Sequence, residues 1–186
     1  MKDVTERIFR GALSVFVKKG LQATTQEVAK EAGVAEVTLY RRYSTKENLF
    51  ITVIKNVLEK KFESRVLNMA KEEDTEIFLT EIIEDRLNIL SKNEDLVKML
   101  LSESLRGNLT NEINLPEIIF TSLKKGLDYH FKQKDMTVNT DFCASQLGGI
   151  FLSYVVLPHG QPFNKLTEQE KKEIARKHAK SVLATI

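Results

Sequence analysis

The chain has 186 residues, 42% of them hydrophobic and 29% charged, with a formal net charge of +2. That balance excludes a disordered polymer, and the length is enough to bury a core without staples. No stretch reaches the ~18 consecutive apolar residues of a membrane-spanning helix. Cys143 is the single cysteine, so neither an internal disulfide nor a thiolate metal site can form. The opening residues Met1–Glu6 carry acids and lack an apolar signal core, so the expected location is the cytoplasm, with no membrane partner.

Charge is informative only locally. Residues 1–50 hold nine cations (Lys2, Arg7, Arg10, Lys18, Lys19, Lys30, Arg41, Arg42, Lys46) against six acids, and Arg41, Arg42 and Lys46 are close together.

The apolar pattern is helical almost throughout, which predicts an all-α fold of about nine helices. The first helix runs from about Asp3 to Lys19, with Ile8, Ala12 and Phe16 on one face, and Gly20 stops it. Thr24 and Glu27 have capping-box spacing before a short helix that buries Val28, Ala29 and Ala32. Gly33 ends that helix and Val34 sits in the turn. A third short helix covers roughly Glu36 to Arg42, with Leu39 inward. Residues 44–47 cap a long helix reaching toward Met69.

The body begins near Asp74, with a stripe of Leu79, Ile82, Ile83, Leu87 and Leu90. Ser91 and Glu94 have the spacing of another capping box. Pro116 suits the start of a helix carrying Ile119, Leu123, Leu127 and His130. A further helix spans about 138–156, Pro158–Pro162 form a loop, and Thr167 caps the last helix.

Two short helices around Gly33-Val34 are what a helix-turn-helix requires. The second lies in a major groove with its N-terminal residues at base edges. Glu36, Val37, Thr38, Tyr40, Arg41 and Arg42 are left on or near its outer face. Tyr43 reads as core and Tyr40 as a contact, while Arg41 suits a solvated charge as well as a contact.

The run from Arg7-Ile8-Phe9 through Lys19-Gly20, Thr24-Thr25, Val28-Ala29, Ala32-Gly33-Val34, Thr38-Leu39-Tyr40-Arg41 and Tyr43 to Lys46-Glu47-Asn48-Leu49-Phe50 resembles the DNA-binding head of the TetR (tetracycline-repressor-like) family. The resemblance implies a head at 1–46 and a helical effector-binding and dimerisation body at 47–186. It implies that Thr25, Tyr40, Arg42 and Lys46 contact phosphates, Gln26 a base, and Thr38 a base or phosphate. Ala35 departs from the Ser or Thr common before the recognition helix, which removes a cap worth ~1 kcal/mol. Glu36 and Val37 replace the frequent Lys and Gly. Glu36 suits either a cytosine amino group or the helix N-terminus, and Val37 suits a thymine methyl.

For the body, the resemblance implies an effector pocket among the middle helices. Candidates for its lining are Phe78, Met99, Phe120, Tyr129, Phe142, Cys143, Gln146 and Tyr154, although such residues at helical spacing also make plain core. No buried charge cluster is evident, so an apolar or amphipathic effector is favoured. The resemblance also implies a homodimer through about 138–156 and 167–185. Gly148-Gly149 fits either that contact or packing within one subunit.

The expected function is a ligand-responsive transcriptional repressor acting on a near-palindromic operator. The alternative is a DNA-binding protein of the same fold controlled by a protein partner. An enzyme is not expected: no nucleophile–base pair, glycine-rich phosphate loop or metal spacing occurs, and no cofactor is implied. His130 and His159 have no carboxylates at ligand spacing, and His178, on an apolar stripe, reads as a packed or interface histidine.

Overall fold

The computed structural model describes residues 2–59, 62–109, 115–157 and 160–186. Their α-helices are α1 (Lys2–Lys19), α2 (Thr25–Ala32), α3 (Glu36–Tyr43), α4 (Lys46–Ile54), α5 (Phe62–Met69), α6 (Thr75–Lys92), α7 (Glu94–Leu105), α8 (Leu115–Gln133), α9 (Thr140–Val156) and α10 (Glu168–Leu183). Among the described residues there is no strand. The chain forms two compact units. One joins Met1–Val57 to Asp95–Leu115; the other joins Leu58–Glu94 to Pro116–Ile186.

In the first unit, the expected stripe of α1 is buried at Ile8, Ala12 and Phe16. The Phe16 ring meets Phe50 of α4 edge-on, with centroids 4.9 Å apart. Burying one such ring contributes roughly 1.5–3 kcal/mol. Glycine 11 lets α1 lie directly on α2: a β-carbon there would sit 2.8 Å from the Ala32 nitrogen. Gly20, at φ +57°, ends α1 and abuts the buried Glu103 of α7.

The second unit is organised on α6, which buries Phe78, Leu79, Ile82, Ile83, Leu87 and Leu90. Along it lies α10, whose Ala175 and Ala179 face inward and let the two helices approach. Arg86 was not expected among these apolar residues, yet it is 1% exposed. Its Nη1 donates to the Leu58 carbonyl at 2.7 Å, and its guanidinium lies 4.3 Å from the Phe62 ring centroid. Leu58 belongs to a π-helical turn, Lys55–Glu59. The wider winding of a π turn leaves carbonyls poorly matched to the helical ladder. A guanidinium stacked on an aromatic face is well suited to take one.

The box expected at Ser91–Glu94 does not form. Ser91 stays within α6, donates to Asn164 Oδ1 at 3.1 Å and accepts from the Asn164 N–H at 3.2 Å. A distant partner thus outcompetes the local cap. Of the adjacent glycines 148 and 149, packing within the chain accounts for the first only. A β-carbon on Gly148 would meet the Phe120 ring at 2.7 Å, while one on Gly149 would meet open space. Pro158 and His159 lie outside the described residues, as do the side chains of Pro116 and Ile119.

Gly11→Ala should lower the stability of the head by about 1–3 kcal/mol, because the added methyl group must push α1 off α2. Urea unfolding followed by circular dichroism would measure the loss.

Candidate nucleic-acid interface

The Thr24 box is formed in both directions. The Glu27 N–H donates to Thr24 Oγ1 at 3.2 Å, and the Thr24 N–H donates to Glu27 Oε2 at 3.0 Å. The same carboxylate takes a hydrogen bond from Lys19, which, with the Thr24 N–H, holds it below its usual range. Gly33 closes α2 in the left-handed region at φ +64°, and the Val34 N–H reaches back to the Ala29 carbonyl at 3.0 Å. That conformation suits a glycine best. Ala35 then enters α3 in extended conformation with no side-chain cap, as expected from its missing hydroxyl.

Leu39 of α3 is 2% exposed, and Val28, Ala29 and Ala32 of α2 are buried with it. These contacts fix the angle of the pair and turn the opposite face of α3 outward. Val37, Tyr40, Arg41 and Arg42 are exposed there, and Thr38 is half-buried. Gln26 at the start of α2 is exposed as well. Tyr43 is half-buried with Phe9 beside it, 6.4 Å between ring centroids; burial raises its phenol above the usual range.

The donors expected to meet DNA are already engaged within the head. Arg42 Nη1 donates to Thr5 Oγ1 at 2.7 Å, and Lys46 Nζ to the Leu21 carbonyl at 2.7 Å. Thr25, expected as an exposed phosphate contact, is 8% exposed. Its hydroxyl donates to Glu36 Oε1 at 2.6 Å and pairs with the Tyr40 hydroxyl at 3.1 Å. Glu36 therefore reaches across to α2, an arrangement that neither reading of it foresaw. The chain leaves α3 through Ser44, at φ 63° and ψ −45°, where the Thr45 N–H bonds to the Tyr43 carbonyl at 2.7 Å. This tight three-residue turn is strained for a residue with a side chain.

Residues 8–53 match the family described as bacterial regulatory proteins, tetR family. The match is confined to the head. Over 50 residues it is 40% identical to the Bacillus subtilis protein called uncharacterized HTH-type transcriptional regulator YvkB, 26% of each chain. To YuxN of the same organism, also called an uncharacterized HTH-type transcriptional regulator, it is 27% identical over 171 residues, covering 84% of this chain and 56% of that one. To the nucleoid occlusion factor SlmA of Shewanella sediminis it is 26% identical over 124 residues, 66% of this chain and 62% of that one. The chain thus spans 26% and 56% of the lengths of YvkB and YuxN. The fold is shared along nearly its whole length with the fatty acid degradation regulator FadR of Bacillus halodurans (TM-score 0.72, 18% identity, 98% of this chain and 99% of that one). It is shared also with FadR of Bacillus subtilis, solved in complex with stearoyl-CoA (TM-score 0.63, 20% identity, 97% and 96%).

Outside the residues that match that family, the pocket candidates are dispersed. Met99 is in the first unit, where it lines a groove with Lys18, Lys98 and Arg106. The other seven are in the second. Phe78 stacks on His130 at 4.1 Å, the Phe120 ring packs on Gly148, and Gln146 Oε1 accepts from the Thr185 hydroxyl at 3.0 Å. The Tyr154 hydroxyl pairs with His178 Nε2 at 3.1 Å, placing His178 as a packed residue. Cys143 is buried, its thiol pushed up to about 11 by desolvation. Tyr129 and Phe142 are 39% and 54% exposed.

His130 is itself buried. Its Nδ1 donates to the Ala70 carbonyl at 3.2 Å and its Nε2 accepts from Thr75 at 3.0 Å, leaving neither nitrogen for a ligand. Among the described residues no cluster fit to hold a metal occurs, and no helix is long and apolar enough to cross a membrane.

Ala35→Ser should restore the missing cap, its hydroxyl accepting from the Thr38 N–H, and stabilise the head by about 1 kcal/mol. Thermal unfolding would read this as a raised midpoint.

Proposed function

We propose that this chain is a sequence-specific DNA-binding transcriptional regulator, a ligand-responsive repressor that works as a homodimer on a near-palindromic operator. The observation that carries this reading is the outer face of α3. It is short, pinned from behind by Leu39, and set beside cations from α3 and α4. Such a helix fits a major groove, with Arg42 and Lys46 at the flanking backbone. Both keep spare N–H donors after their bonds to Thr5 and Leu21, since a guanidinium has five and an ammonium three.

Dimerisation is supported by α9. Phe142, Leu152 and Val156 are 54%, 41% and 59% exposed. With Ser145 and the open Gly149 between them, they follow a helical period along one outward stripe. Together with α10, this is the face on which a two-fold partner sets two heads on one duplex. The family relatives carry names of regulators, which supports a role without catalysis.

An apolar or amphipathic effector that binds one state of the dimer better would shift the head between binding and release. The likeness in fold to a regulator solved with stearoyl-CoA favours that chemistry. The second reading is control by a protein partner, favoured by the similarity to a nucleoid occlusion factor.

Binding to the duplex upstream of the chain's own gene should exceed binding to random DNA of equal length. Arg42→Ala and Lys46→Ala should weaken both and each reduce the slope of log affinity against log salt by about 0.9. Fluorescence anisotropy across a salt series measures this; a folded protein that binds no DNA at any salt refutes the reading. Val156→Glu should convert dimer to monomer in light scattering and lower operator affinity at least tenfold. An unchanged dimer would place the interface elsewhere.

A further inference from the structure

Four side chains of the head, Thr25, Tyr40, Arg42 and Lys46, can donate to a phosphate oxygen, but they differ in how many protons they can give. Lys46 and Arg42 each spend one donor on a partner within the head and keep others. Thr25 and Tyr40 have one proton each. Thr25 gives its proton to Glu36 at 2.6 Å, because a carboxylate has none to give back. The 3.1 Å contact between Thr25 and Tyr40 is then donated by Tyr40. The chain of bonds runs from the Tyr40 phenol through the Thr25 hydroxyl to the Glu36 carboxylate, and both hydroxyl protons are consumed. A phosphate oxygen only accepts, so while Glu36 holds this position Thr25 has no proton for it, and Tyr40 can bond to it only by giving up Thr25.

We propose that Glu36 is an internal competitor for the DNA backbone, which locks the Thr25 and Tyr40 hydroxyls and releases them when a base amino group takes its carboxylate. This rests on the DNA-binding reading above. Glu36 is the first residue of α3, the end that meets base edges in a major groove. Cytosine N4 there offers a donor that a carboxylate accepts; guanine O6 and N7 offer only acceptors and repel it. On a duplex with the amino group in place, Glu36 swings from α2 to the base, and two neutral donors become available to phosphate. On other sequences the lock stays closed. One carboxylate thus couples base identity to backbone contact, and it acts mainly by making wrong sequences bind poorly.

The test compares two duplexes: one selected from a random library by the wild-type protein, and one random duplex of equal length. Glu36→Ala should tighten binding to the random duplex about 3- to 10-fold, the worth of one or two hydrogen bonds regained. The selected duplex should gain less, so the ratio between them falls. Glu36→Gln keeps an acceptor for Thr25 without the charge. It should bind the random duplex more weakly than Glu36→Ala does. In a Thr25→Val/Tyr40→Phe background, Glu36→Ala should lose most of its gain, with circular dichroism verifying the fold of each variant. Equal gains for Gln and Ala, or a gain that persists in that background, would reduce Glu36 to simple charge repulsion and overturn the proposal. Weaker binding of Glu36→Ala to both duplexes would overturn it too. Failure of the wild type and every variant to bind any DNA would instead sink the DNA-binding reading.

Discussion

Everything the head presents depends on how closely α1 can lie against α2. At Gly11 the two helices meet with no room for a methyl group. That contact fixes α2, and the Gly33 turn together with the buried Leu39 then fixes α3 against α2. Further along α1, Phe16 reaches Phe50 and ties α4 to the same support. A short helix such as α3 has little intrinsic stability in water. Its orientation is inherited from α1, and so is the placement of every side chain on its outer face.

The outer face is held by hydrogen bonds as much as by packing. Arg42 is tied to α1 through Thr5, Lys46 to the end of α1 through Leu21, and Thr25 to α3 through Glu36. Each of these side chains therefore sits in a set position before any partner arrives, and less ordering entropy remains to be lost on association. The same bonds occupy acceptors and donors. For the two cations the occupation is partial, but for the two hydroxyls it is complete, and the difference follows from proton count alone.

Much of this was legible from the residues, because the signals were local. The Thr24–Glu27 box, the Gly33 stop and the uncapped Ala35 each involve groups within five positions along the chain, and each is found as expected. The misreadings involve partners far along the chain. Ser91 has the right spacing for a cap, but Asn164, 73 positions away, takes its hydroxyl. Arg86 interrupts an apolar stripe and finds its acceptor at Leu58, in a π turn that no periodicity announces. The reason for Gly11 is the backbone of another helix, which no local pattern announces. Thr25 and Glu36 were each read alone, and 11 positions of separation hid their bond. For the pocket, aromatic residues at helical spacing did not distinguish a lining from a core. Phe78 stacks on His130, whereas Phe142 points outward.

Cys143 is the chain's one sulfhydryl, is buried, and has its ionisation pushed up to about 11. At neutral pH fewer than about one such group in a thousand is thiolate, the only form that reacts. The native chain is therefore chemically silent toward thiol-directed dyes and spin labels while it stays folded. A cysteine introduced at any exposed position would be the single reactive handle. Distances between the two heads of the proposed dimer can then be followed by spectroscopy with the natural residue left where it is.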